Sequence, residues 1–182
     1  MVSDINAIRV RRGVPADAEA LAELAARTFA DAFAADNRAD DLQAHLDAAY
    51  NVGQLARELA DPAITILLAY RDERPIAYAQ VRRKPPPECV TASQPIELQR
   101  FYVDREAHGT GVAMQLMTDV QRVAREAGAE HLWLGVWEHN ARALAFYRKA
   151  GFRDVGSHFF DVGSDRQTDR VLVAVVPAQA PR

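Results

Sequence analysis

Apolar residues recur along this chain with two periods, and the two alternate. Ile8 and Val10 stand between Arg9 and Arg11, the two-residue period of a half-buried strand. Pro15 follows, and then Ala18, Leu21, Leu24 and Ala25 carry the helical period, with Asp17, Glu19 and Glu23 interspersed in the early turns. From Thr28 to Asp61 the pattern stays helical but breaks at Asp36-Asn37 and at Asn51-Val52-Gly53. Leu42, Leu46 and Tyr50 keep helical spacing, as do Leu55 and Leu59, and Pro62 ends the region. ITILLAY (64–70) then predicts a buried strand, RDERP (71–75) a five-residue turn and IAYAQVRR (76–83) an antiparallel partner.

Ile96 to Val103 predicts a further strand whose alternation changes partway. Leu98 is apolar on one face and Phe101 and Val103 on the other, which a one-residue bulge near Gln99-Arg100 would reconcile. Val112, Leu116, Val120, Val123 and Ala127 mark the buried face of the next helix, and Gly128 closes it. HLWLGVW (131–137) is a strand with Gly135 in its middle, where the missing side chain permits another group to approach closely. Asn140 is a good N-cap for a helix that Gly151 and Phe152 end. Phe152 to Asp161 and Val171 to Val176 form a last antiparallel pair, joined by the polar GSDRQTD (163–169), and Pro177 leads into a loose tail. The pattern as a whole is α/β.

Length and composition narrow this further. At 182 residues, 49% of them apolar, residues 1–182 are expected to form a single domain. A net charge of -3 argues against nucleic acid as a partner. The one basic cluster, Arg82, Arg83 and Lys84, runs into Pro85, Pro86 and Pro87 and is expected to be a solvated loop. Cys89 stands alone and cannot form an intrachain disulfide. No signal-type segment and no apolar run long enough to span a bilayer occurs, so a soluble, cytoplasmic protein without a membrane partner is expected. His45, His131, His139 and His158 lack metal-ligand spacing, and no metal is expected.

The chemistry gathers between Leu98 and Ala127. A strand that passes through the glycine-bearing HGTGVA (108–113) into a helix aims backbone N–H groups and the positive end of the helix dipole at one point, an anion site. Met114 occupies the place of the third glycine of a dinucleotide fingerprint, and no Lys follows Gly111 as a phosphate-binding P-loop would require. HGTGVA does resemble the Gln/Arg-x-x-Gly-x-Gly/Ala signature of the GNAT superfamily of N-acetyltransferases, with His108 at the Gln/Arg position, Gly111 matching and Ala113 as the small residue. LQRFYV, HGTGVA, WLGVWEHN and ALAFYRKAGF follow one another as in the core of that family. TFADAF, the segment to ELADP, WLGVWEHNARALAFYRKAGF and SHFFDVGSDRQTD together resemble its bacterial diamine or spermidine/spermine N-acetyltransferase branch.

The resemblance implies the GNAT fold, a central mixed, mostly antiparallel twisted sheet of about seven strands flanked by helices. It also implies acetyl-CoA as cosubstrate. His108, Gly109, Thr110, Gly111, Val112 and Ala113 would hold its pyrophosphate; Phe101, Tyr102 and Val103 would hold its thioester arm; Asn140, Ala143 and Tyr147 would meet it from one helix face.

Tyr147 suits a general acid: a thiolate with a conjugate thiol of pKa about 8.5 takes a proton from a phenol of pKa about 10 at a cost of roughly 2 kcal/mol. An alkylammonium acceptor must lose a proton before it attacks, at about 4 to 5 kcal/mol near pH 7, and Glu97, or water ordered by Glu97 and Gln99, is the base candidate. Strand N–H groups at Phe101 to Val103 would donate to the thioester oxygen as it gains charge. The expected function is acetyl transfer to a small-molecule primary amine, in keeping with a polyamine, by direct attack in a ternary complex; a catalytically silent acyl-CoA sensor is the alternative. Asp31, Asp36, Asp40, Asp41 and Asp47 fit an ordinary solvated helical surface better than a recruiting patch, although as a group they could draw a cationic acceptor in. The chain is expected to be a monomer or homodimer.

Overall fold

The alternating stretches become seven strands: β1 (Ile8–Arg12), β2 (Ile64–Arg71), β3 (Arg74–Arg82), β4 (Pro95–Val103), β5 (His131–Trp137), β6 (Arg153–Val162) and β7 (Asp165–Val175). The helices are α1 (Ala18–Phe33), α2 (Ala39–Ala49), α3 (Val52–Ala60), α4 (Val112–Glu126) and α5 (Ala141–Lys149). This computed structural model describes residues 8–33, 39–162 and 165–178, leaving out side chains at 33, 39, 41, 42, 45 and 160–167; the expected break at Asp36-Asn37 and the end of the tail lie outside the described residues.

The strands hydrogen-bond in the order β1-β2-β3-β4-β5-β7-β6. β1 and β2 are antiparallel, as are β5 with β7 and β6 with β7, whereas β4 and β5 run parallel. The result is the mostly antiparallel seven-stranded sheet with flanking helices that the resemblance implies. The chain forms two compact units, Met1–Gln80 with Arg100–Asp119 and Val81–Gln99 with Val120–Arg182.

In the first unit α1 and α3 supply Leu21, Leu24 and Leu55, each fully buried, to a core shared with Ile66, Leu68 and Tyr78 of the strands. Burying such an aliphatic side chain contributes roughly 1.5 to 3 kcal/mol. The break near Asn51 is a cap: its side chain accepts from Gln54 N–H at 2.8 Å, so Val52 and Gly53 open α3 rather than interrupt it. RDERP is a shorter turn than the pattern predicts. Only Asp72 and Glu73 lie outside the strands, because Asp72 takes φ +54°, a left-handed conformation that a short polar side chain tolerates. On the neighbouring strand β1, Arg11 grips both oxygens of Asp17 at 2.7 Å, and Val14 N–H donates to the same carboxylate at 2.8 Å. Those donors hold the Asp17 carboxyl down at about 2 against the opposing effect of burial.

In the second unit β5 lies between β4 and β7. Trp133 is buried with Val90 of the proline-rich stretch and Val171 and Val173 of β7. The terminal ribbon is longer than expected: β7 begins at Asp165, so most of GSDRQTD is strand rather than connection. A two-stranded ribbon is held by its backbone ladder and needs no apolar alternation.

Candidate active site

In the first unit the chain is pinned as it leaves β4. Asp104 N–H donates to Ile76 O at 2.7 Å, and the Asp104 carboxylate, 3% exposed, accepts from Arg27 at 2.9 Å and Arg74 at 3.0 Å. A single 3-10 turn, Arg105–Ala107, follows, and Thr110 Oγ1 donates back to Ala107 O at 2.7 Å. Gly109 and Gly111 then take φ +76° and +89°, the left-handed conformations that favour glycine. Helical bonding starts with Gln115 N–H to Gly111 O at 3.1 Å, so the N–H groups of Val112, Ala113 and Met114 point out of the end of α4. A Cβ placed on Gly109 or Gly111 meets nothing within 4 Å. A strand, a fixed corner, open space over two glycines and a 15-residue helix leave N–H groups and a helix N-terminus turned toward that space, an arrangement suited to an anion. The atypical His108 acts locally, its Nε2 lying 2.9 Å from Val103 O and tying the loop to the end of β4.

Phe101, Tyr102 and Val103 are half-buried along the end of β4. Tyr102 stacks on Tyr78 with ring centres 5.6 Å apart. Beside them sits a charged cluster that sequence reasoning missed. Arg100 donates to Glu58 at 2.6 Å and to Gln80 at 2.9 Å, and lies over the Tyr50 ring at 5.0 Å. The polar residue that upsets the alternation of β4 is therefore itself buried, with side-chain exposures of 11% for Arg100 and 12% for Glu58. Burial works against the Arg100 charge, but Tyr50, Tyr78 and Glu58 outweigh it and raise the guanidinium's pKa. Burial pushes the Tyr78 phenol far up. The signal was present in Arg100; its partner, 42 residues away, was not legible.

The second unit holds the other expected residues. Glu97 is the last residue of β4 in register with β5, opposite Trp133; it is 8% exposed and accepts from Arg82 Nε at 2.5 Å. Asn140 caps α5 by accepting from Ala143 N–H at 3.1 Å, so the side chain expected at the cosubstrate is engaged in starting the helix. Gly151 at φ +90° ends that helix, and Phe152 N–H returns to Tyr147 O at 2.9 Å. Tyr147, 8% exposed, has Phe146 and Phe152 edge-on at 5.4 and 5.5 Å. Burial pushes its phenol well above the usual value, which makes it a weaker acid than an ordinary phenol, so giving its proton to a thiolate costs more than the roughly 2 kcal/mol expected from the sequence. Among the described residues no three His, Cys, Asp or Glu side chains converge to hold a metal ion. None of the described helices is long and apolar enough to cross a membrane.

The acetyltransferase (GNAT) family model matches residues 19–152. An uncharacterized N-acetyltransferase of Mycobacterium tuberculosis (strain ATCC 25618 / H37Rv) is 36% identical over 157 residues, 86% of this chain and 96% of that protein. An aminoglycoside N(6')-acetyltransferase type 1 of Stenotrophomonas maltophilia is 29% identical over 82% of this chain and 88% of its own. The fold is shared with the crystal structure of the PaiA N-acetyltransferase of Thermoplasma acidophilum in complex with coenzyme A, at TM-score 0.76, 20% identity and coverage of 93% and 99% of the two chains. Glycine cradle, capped tyrosine helix, family model and relatives agree, and the chain belongs to the GNAT family of acetyltransferases as an N-acetyltransferase.

Proposed function

We propose that the protein moves the acetyl group of acetyl-CoA onto a primary amine of a small cationic molecule of the polyamine kind, by direct attack while both substrates are bound. The observation that carries this reading is the placement of Tyr147: a buried phenol on a helix whose two ends are fixed by Asn140 and Gly151. In this scheme the amides from Gly109 to Ala113 hold the pyrophosphate, each charge-assisted bond being worth about 1.5 to 3 kcal/mol. N–H groups at Phe101 to Val103 steady the thioester oxygen as it takes negative charge, and Tyr147 protonates the departing thiolate. Asn140 and Ala143 bring the face of α5 to the cosubstrate. Glu97, one oxygen of which is engaged by Arg82, orders water rather than meeting the amine alone.

The relative named for aminoglycoside acetylation supports a small amine-bearing acceptor, and the likeness to the diamine branch in TFADAF and SHFFDVGSDRQTD supports a polyamine. The test is thiol release from acetyl-CoA against polyamines, aminoglycosides and amino acids. Release that requires a polyamine is the expected result. Tight binding of acetyl-CoA with no acceptor-dependent release would favour the silent sensor instead.

A further inference from the structure

Gly135 of β5 leaves a gap between Trp133 and Trp137, the residues before and after it on the same face of the strand. The ring of His158 fills it. This imidazole reaches from β6 across β7, and a Cβ on Gly135 would stand 2.9 Å from His158 Nε2 and 3.2 Å from Asp169 Oδ2. His158 and Asp169 are directly paired in the β6–β7 ladder, with Nε2 3.6 Å from Oδ2. Nε2 is buried and faces the Asp169 carboxylate just beyond ordinary hydrogen-bond length, whereas the side chain as a whole keeps 35% of its surface open. Gly135 also lies two residues beyond Trp133, where the register of β5 with β4 ends.

From this geometry we infer that His158 is the group that takes the proton of the acceptor ammonium, with Asp169 as the positioning residue that orients its ring. The inference rests on the acetyl-transfer reading above. With Nε2 turned to Asp169, Nδ1 is the nitrogen left to accept a proton. The ammonium loses one proton to His158, and the amine nitrogen forms its bond to the thioester carbon. The carbon–sulfur bond breaks, the thiolate takes the Tyr147 proton, and the new amide nitrogen returns a proton to Tyr147. His158 then releases its proton to water, so each turnover yields one amide, one thiol and one proton. Among the described residues, Asp169 is the charged group set against the ring. β5 presents Gly135, the stretch before β4 presents Cys89, set against Gly156, and Arg170 alternates to the opposite face, where it pairs with Asp154 at 2.8 Å. Burial pushes the Asp169 carboxyl up, and the His158 charge opposes it.

The test is the pH dependence of turnover for the full chain, with acetyl-CoA and the amine that supports the fastest thiol release. His158→Gln is expected to lower kcat about 100-fold near neutral pH. The KM for acetyl-CoA should stay within about threefold, and the deficit should shrink as pH rises toward the point where the amine deprotonates unaided. Asp169→Asn should give a smaller loss with a displaced acid limb, and Gly135→Ala, by pushing the ring aside, should resemble His158→Gln. A variant lacking His158 that keeps the wild-type profile, or that loses the same factor at every pH, would overturn the assignment. A wild-type chain without acceptor-dependent thiol release would instead overturn the transfer reading on which it rests.

Discussion

Replacing Gly111 by Ala separates the backbone role of the cradle from its ligand role. Gly111 takes φ +89° and has open space within 4 Å of where a Cβ would sit, so the added methyl clashes with nothing in the protein. The penalty on the fold is therefore conformational, about 1 to 2 kcal/mol for holding an L-residue left-handed. In a chain of this size that lowers Tm by roughly 2 to 8 °C. The same open space is where the pyrophosphate would lie. Displacing one or two amides that donate to it removes about 1.5 to 6 kcal/mol, a loss of roughly ten-fold to about 20,000-fold in coenzyme A affinity. Gly128 is the control: φ is +74°, a Cβ there also meets nothing within 4 Å, and it ends α4 instead of starting it. Gly128→Ala should show the same fall in Tm with unchanged affinity. Calorimetric unfolding without ligand and isothermal titration with coenzyme A read the two quantities separately. If Gly111→Ala is destabilised like Gly128→Ala and still binds coenzyme A as the wild type does, the loop is a helix start and not a cradle.

Three further outcomes follow from the same structure. Tyr147→Phe should lower kcat by at least about 100-fold while coenzyme A affinity stays within a few-fold, because only the proton donor is removed; steady-state kinetics beside titration checks it. Glu58→Gln leaves the buried Arg100 guanidinium without its countercharge and should destabilise the chain by about 3 kcal/mol in denaturant unfolding, with Glu58→Leu/Arg100→Leu restoring much of the loss. Asp17 has its carboxyl held at about 2 in the folded chain against 3.8 unperturbed, so its contribution is complete above the higher value and is lost as pH falls toward the lower. Asp17→Asn should remove that part of the acid destabilisation between about pH 4 and pH 2, seen as a flatter stability profile in urea.

Local signals predicted the elements well wherever one residue decides. Pro15, Asn51, Asn140, Gly128 and Gly151 mark helix ends through their own backbone or side chain, and each stands beside such an end. The two-residue turn at Asp72-Glu73 and the early start of β7 at Asp165 departed from expectation because polar residues were read as loop. A hairpin turn and an edge ribbon can both carry polar residues without losing their backbone bonds.

The sequence by itself determined the glycine turn and the tyrosine helix, because a tight glycine turn, a strand before it and a capped helix depend on neighbours within a few residues. Only the tertiary structure decided what those parts lean on: Arg100 against Glu58, His108 against Val103 O, Asp104 between Arg27 and Arg74, and His158 with Asp169 over Gly135. Most of these contacts join residues on separate elements, tens of positions apart. A charge or an imidazole declares its chemistry in the sequence, but its partner and its exclusion from water arise only when strands align in register.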